Sequence, residues 1–155
     1  MTQITDLMSR DHRTCDEAFA RAETRAARGS WSEALGALAS FAEHLESHFA
    51  AEESVLFPRF EAVTGMTGGP TSVMRGEHVE MREALARMRE ALDQQDRDDF
   101  AGEAETLLIL MQQHNMKEEN SLYPMCDTQL HAERSELSPQ LAAHLSAGRR
   151  HEHDD

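Results

Sequence analysis

The sequence predicts an all-α fold: an up-down-up-down four-helix bundle with a short C-terminal helix. Three observations predict it. The apolar set is mostly Ala, Leu and Met, with Glu and Arg supplying much of the polar surface, and these are helix formers. Aromatic residues make up only 5% of the chain, whereas a sheet-rich core favours β-branched and aromatic side chains. Apolar residues recur with a period of 3.6 in four separate runs. A chain of 155 residues is enough for one ordinary domain.

The first helix is expected from about Thr5 to Arg28. Ile4, Met8, His12, Cys15, Phe19, Ala22 and Ala26 form its inward stripe, and Gly29 ends it. Ser30-Trp31-Ser32-Glu33 matches a capping box and opens the second helix. Its stripe is Leu38, Phe41, Leu45, His48, Glu52, Val55 and Leu56, and it ends soon after Pro58, near Thr64. Gly65-Met66-Thr67-Gly68-Gly69-Pro70 reads as a linker. The third helix spans about Thr71 to Gln94, with Met74, His78, Met81, Leu85, Met88 and Leu92 inward. A polar stretch, Gln95 to Asp99, leads to the fourth, about Phe100 to Tyr123, which turns Ala104, Leu107, Met111, His114, Glu118 and Leu122 inward. Residues 1–130 thus form the bundle. Residues 131–155 hold a short helix starting at Ser138-Pro139, proline being favoured at the first helical position, and a polar tail from Arg149 to Asp155.

Charge and composition exclude several functions. The formal net charge is −14, which argues against nucleic acid or an anionic membrane as partner, since both need a basic surface. Cys15 and Cys126 belong to no paired-cysteine motif, so neither a disulfide framework nor a zinc finger is indicated. The N-terminus lacks the basic and apolar regions of a secretory signal, and no apolar run approaches the length of a membrane span. The expected compartment is the cytoplasm.

An internal repeat locates the chemistry. His48-x-x-x-Glu52-Glu53-x-x-Leu56-Phe57-Pro58 reappears 66 residues later as His114-x-x-x-Glu118-Glu119-x-x-Leu122-Tyr123-Pro124. The same offset carries Met8 onto Met74, Asp11 onto Glu77 and His12 onto His78. The chain has nine histidines in all, so two coincidences at one shift, with two glutamates in register, point to two helical hairpins related by a pseudo-twofold axis. His and Glu four residues apart share one face of a helix, about 6 Å apart along its axis. All six residues, His12, His48, Glu52, His78, His114 and Glu118, lie on apolar stripes, where a bare carboxylate is costly to bury. Facing helices of a bundle converge such groups on metals. Two imidazoles per half with two shared carboxylates describe a dinuclear site rather than a four-ligand structural zinc. The donor set favours iron over manganese or zinc.

These residues resemble the hemerythrin-like, or HHE cation-binding, family over about residues 5–128. Its pattern H…H-x-x-x-E…H…H-x-x-x-E reads here as His12, His48/Glu52, His78 and His114/Glu118. The resemblance implies a non-haem iron pair bridged by Glu52 and Glu118, with His12 and His48 on one iron and His78 and His114 on the other. The respiratory members carry a further histidine on the third helix, where this chain has Arg82, and an aspartate five residues along the fourth, where this chain has Glu118 at four and Glu119 at five. The open positions left at iron imply a partner such as O2, nitric oxide or peroxide. Two functions follow: a protein that binds or responds to a diatomic ligand, or an enzyme acting on peroxide or ferrous iron, or donating iron for iron–sulfur cluster repair.

Neighbouring residues carry further expectations. His44, one turn before His48, reads as a solvated flank histidine, with an edge ligand or a group supporting the ligands as the alternative. Asp16 and Arg82, partners under the repeat, are expected to form an ion pair, with Asp16 as a ligand the other option. Tyr123 replaces Phe57 of the first half and reads as core, or as a phenol near one iron. Cys15 reads as a small buried hydrophobe, with redox chemistry as the alternative. Glu53 and Glu119 are solvated or support ligand imidazoles.

Overall fold

The computed structural model describes the backbone of residues 3–153 and the side chains of residues 3–148, and the regular elements among them are all helical. Helix α1 is Ile4–Ala27. Helix α2 runs without interruption through Trp31–Ala51, a π-helical turn Glu52–Leu56 and Phe57–Thr64. Helix α3 is Pro70–Asp93. Helix α4 likewise joins Arg97–Lys117, a π-helical turn Glu118–Leu122 and Tyr123–Gln129. A 3-10 turn, His131–Glu133, leads to α5, Arg134–His153. Helices α1 and α2 pack as one hairpin, α3 and α4 as the other, and α5 lies along α2. The bundle expected from the sequence is therefore present.

Local chemistry accounts for the ends, with some corrections. Gly29 and Gly65 take the left-handed conformation, at φ 74° and 75°, that closes α1 and α2. The capping box does not form: the Ser30 side chain makes no cap hydrogen bond. The cap that does form is Asp96, which accepts from the Asp99 amide at 3.0 Å, so α4 starts at Arg97, inside the stretch expected to be a linker. Helix α5 starts at Arg134 rather than at Ser138, which places Pro139 inside it as its sixth residue, where the missing N–H removes one backbone hydrogen bond to residue i−4. The expected polar tail is helical in backbone to His153, and Asp154 and Asp155 lie outside the described residues.

The two π turns fall at the repeat offset. In each, one amide reaches back five residues, Phe57 to the Glu52 carbonyl and Tyr123 to that of Glu118. Pro58 and Pro124 follow directly. A proline lacks the N–H for the bond to residue i−4 and its ring crowds that carbonyl. Widening the preceding turn relieves both and lets the helix continue. Such turns favour functional sites.

Two apolar clusters fill the bundle. One gathers Phe19, Phe41, Phe49, Met81, Met88, Leu107 and Met111 with neighbouring alanines. The other gathers Ile4, Met8, Leu56, Phe57, Phe60, Met74 and Leu122, and α5 completes it with Leu137, Leu141 and Leu145. His12, His48, Glu52, His78, His114 and Glu118 are buried with them.

Candidate metal centre

All six residues singled out by the repeat are buried, none more than 4% exposed. They come from four helices: His12 from α1, His48 and Glu52 from α2, His78 from α3, and His114 and Glu118 from α4. The i, i+4 spacing and the π turn place each glutamate inward beside its own histidine, with His48 Nε2 3.7 Å from Glu52 Oε1 and His114 Nε2 3.2 Å from Glu118 Oε1. Across the bundle His78 Nε2 lies 3.0 Å from Glu52 Oε1 and His12 Nε2 3.1 Å from Glu118 Oε1. Two donor groups result, Glu52, His78, His114 and Glu118 in one and His12, His48 and Glu118 in the other, each with its donor atoms within 4.8 Å of one another.

Each imidazole is held from behind by a carboxylate. Nδ1 of His12 donates to Glu119 at 2.6 Å, His48 to Asp11 at 2.7 Å, His78 to Glu53 at 2.6 Å and His114 to Glu77 at 2.8 Å. An ionised carboxylate only accepts, so each Nδ1 carries the proton and Nε2 faces the centre. This is the arrangement that orients histidines for metals. The repeat maps Asp11 onto Glu77 and Glu53 onto Glu119, so these supports obey the same pseudo-twofold. Glu53 and Glu119 thus support ligand-set imidazoles, the second of the two expectations, from half-buried positions. Asp11 was legible as well, because it shares the offset and precedes His12 as Glu77 precedes His78.

The electrostatics of the layer follow from burial set against these contacts. Burial raises Glu52, and the neighbouring Glu118 carboxylate raises it further. Glu118 is held low despite burial, because it accepts from Glu52, faces the charge of the His114 imidazole and accepts from His12. Against burial, Glu118 and Glu119 push His12 up to about 10. Glu118 likewise lifts His114 to about 9. Burial would raise Asp11, but His44 and His48 hold it well below the usual carboxylate range. Burial pushes the Cys126 thiol up, which keeps it protonated and unreactive.

Tyr123 corrects the expectation of simple core packing. Its hydroxyl shares its proton between Glu52 Oε2 at 2.7 Å and Glu118 Oε1 at 2.9 Å, and lies 3.2 Å from both His12 Nε2 and His48 Nε2. Burial, then the two glutamates, raise this phenol well above its ordinary range. Its repeat partner Phe57 brings no hydroxyl; its ring stacks near His78, which Phe49 also covers at 3.8 Å between ring centres. Tyr123 could not be placed from sequence because its inward turn depends on the π turn before it.

Two other expectations are overturned. Arg82 does not pair with Asp16, which is exposed. It crosses the face of Phe49 to Glu46 and Glu53, reaching Glu53 Oε2 at 3.0 Å. His44 is not solvated: it is 1% exposed, with Nε2 3.5 Å from Asp11 Oδ1.

The layer fits cations. Glu118 Oε2 and His114 Nε2 are buried and make no hydrogen bond among the described residues, and such atoms cost about 1–3 kcal/mol each when left so. A cation between them would satisfy both. Four imidazole nitrogens and two carboxylates are a donor set for transition metals such as iron, manganese or zinc. The comparisons agree. No curated protein and no solved structure matches the chain, but the family model described as the hemerythrin HHE cation-binding domain matches residues 3–126. With the bundle and its buried His/Glu layer beside that match, the chain belongs to the hemerythrin family of HHE cation-binding domains.

Proposed function

We propose that this is a non-haem di-iron protein of the cytoplasm that binds or responds to O2 or nitric oxide. Its ligands are His12, His48, Glu52, His78, His114 and Glu118. The observation that carries this reading is the division of the buried layer into two half-sites, each with two imidazoles and with Glu118 common to both. His12 and His48 would hold one iron and His78 and His114 the other, with Glu52 and Glu118 as the carboxylates shared between them.

When bound, an iron pair supplies reversible binding of a diatomic ligand and the electrons to reduce one. The chain's own residues make the halves unequal. Beside His12 and His48, Tyr123 holds a neutral O–H, a proton donor shielded from solvent. Beside His78 the rings of Phe49 and Phe57 form an apolar wall, suited to a small uncharged ligand. The four carboxylate supports fix the imidazoles before a metal arrives. A second reading, turnover of peroxide, is favoured by the same Tyr123 hydroxyl, which sits where a proton can be delivered.

The test is metal analysis and absorption spectra under air, nitric oxide and peroxide. A coloured adduct that forms with O2 or nitric oxide and disappears when the gas is removed supports binding. Peroxide consumed over many turnovers supports the enzyme instead. His114→Ala and Glu52→Ala each lower iron content sharply; unchanged iron in both would overturn the ligand set.

A further inference from the structure

A second donor set lies beside the layer, between α1 and α2. Asp11, Cys15 and His44 are all buried, and one donor atom of each lies within 4.8 Å of those of the other two. His44 Nε2 is 3.5 Å from Asp11 Oδ1, and Cys15 Sγ is 3.9 Å from Asp11 Oδ2. Asp11 and Cys15 are four residues apart on α1, as are His44 and His48 on α2, so the set repeats the spacing that builds the main layer.

The pseudo-twofold shows that the fold does not require these groups. The equivalents of Cys15 and His44 in the other half are Met81 and Leu110. Met81 is buried there and Leu110 packs against the same cluster. Glu77, the equivalent of Asp11, is balanced instead by the surface ammonium of Lys117, at 2.5 Å. One half therefore packs with apolar side chains where the other gathers a thiol, an imidazole and a carboxylate.

We propose that Asp11, Cys15 and His44 form a separate site for one borderline-soft divalent cation, zinc by its chemistry. Tetrahedral zinc with ordinary bond lengths separates a nitrogen from an oxygen ligand by about 3.4 Å and a sulfur from an oxygen by about 3.6 Å. The observed His44 Nε2 to Asp11 Oδ1 separation is within about a tenth of an ångström of the first value, and the Cys15 sulfur lies within 4.8 Å of the other two donor atoms. A thiolate beside an imidazole selects zinc or cobalt over magnesium, calcium or manganese. The incoming cation displaces the Cys15 thiol proton, and a water completes the tetrahedron. Asp11 serves both centres, its Oδ2 accepting from His48 Nδ1 while Oδ1 turns to the cation. Helix α5 closes over this place: a Cβ on Gly148 would meet the His44 Cα at 3.1 Å.

Cobalt(II) titration of the metal-stripped full chain tests this, because a thiolate ligand gives cobalt a sulfur-to-metal charge-transfer band. The wild type should show the band and bind one cobalt more than Cys15→Met or His44→Leu, which install the residues of the other half. Both variants should lose the band and keep the rest of the metal. Absence of the band in the wild type overturns the proposal, as does its survival in Cys15→Met. His114→Ala separates the two centres. It should keep the band while losing metal from the main layer; a retained band with unchanged metal content would defeat the di-iron reading and leave this one standing.

Discussion

At the residue scale, the supports behind the imidazoles are as specific as the ligands. Removing one carboxylate behind a metal-bound histidine commonly costs about 10–100-fold in affinity. Glu53→Gln and Glu119→Gln should each weaken metal binding by about that factor, as read by competition with a chelator. Glu53 is also clamped by Arg82, so Arg82→Gln should weaken binding less than Glu53→Gln. The histidines set a pH dependence. In the metal-free chain His12 is raised to about 10 and His114 to about 9. A group raised on folding stabilises fully below its unfolded value, near 6.5, and that contribution is lost as pH climbs through the folded value. The urea midpoint of the metal-free protein should therefore fall between about pH 6.5 and pH 10. A flat or rising midpoint would contradict the protonated His12–Glu118 and His114–Glu118 pairs. Cations binding at neutral pH should release protons, seen as a heat of binding that changes with the buffer.

At the element scale, what could be read from the sequence followed periodicity. The stripes of all four helices were legible because 3.6-residue patterning reports burial directly, and the six inward donors came with them. Features that depend on backbone hydrogen bonding were not legible. The π turns at Glu52–Leu56 and Glu118–Leu122 leave no periodic trace, although Pro58 and Pro124 mark where they fall. Ser30 looked like a cap and was not one, whereas Asp96 capped α4 from within a stretch that looked like linker. Arg82 was assigned to Asp16 by the repeat alone, but a guanidinium reaches the carboxylates on the adjacent α2, where Phe49 offers its ring face. In the α3–α4 turn Gln95 takes φ 55°, the left-handed region. Glycine tolerates this conformation, while a side chain strains it by about 1 kcal/mol. Gln95→Gly should raise stability by about 0.5–1 kcal/mol in urea unfolding, with metal content unchanged.

At the scale of the whole molecule, the core is two apolar masses with the ionisable residues of the repeat buried among them. Helix α5 belongs to one of these masses through Leu137, Leu141 and Leu145, each at most 1% exposed. It was foreseen only as a short appendage, because Pro139 suggested a start rather than an interior position. Deleting buried leucine atoms costs about 2–5 kcal/mol, so Leu141→Ala should lower stability by that amount. A loss under 1 kcal/mol would show that α5 is dispensable to the core.

The pairings behind the imidazoles sort into two kinds. His48–Asp11 and His114–Glu77 close within a hairpin, whereas His12–Glu119 and His78–Glu53 tie one hairpin to the other. Each half thus offers the other what it receives from it. Two copies of a single half, turned about the repeat axis, would assemble the same donors and the same ties, so the chain has the logic of a fused dimer whose halves were then free to diverge at Tyr123 and Phe57.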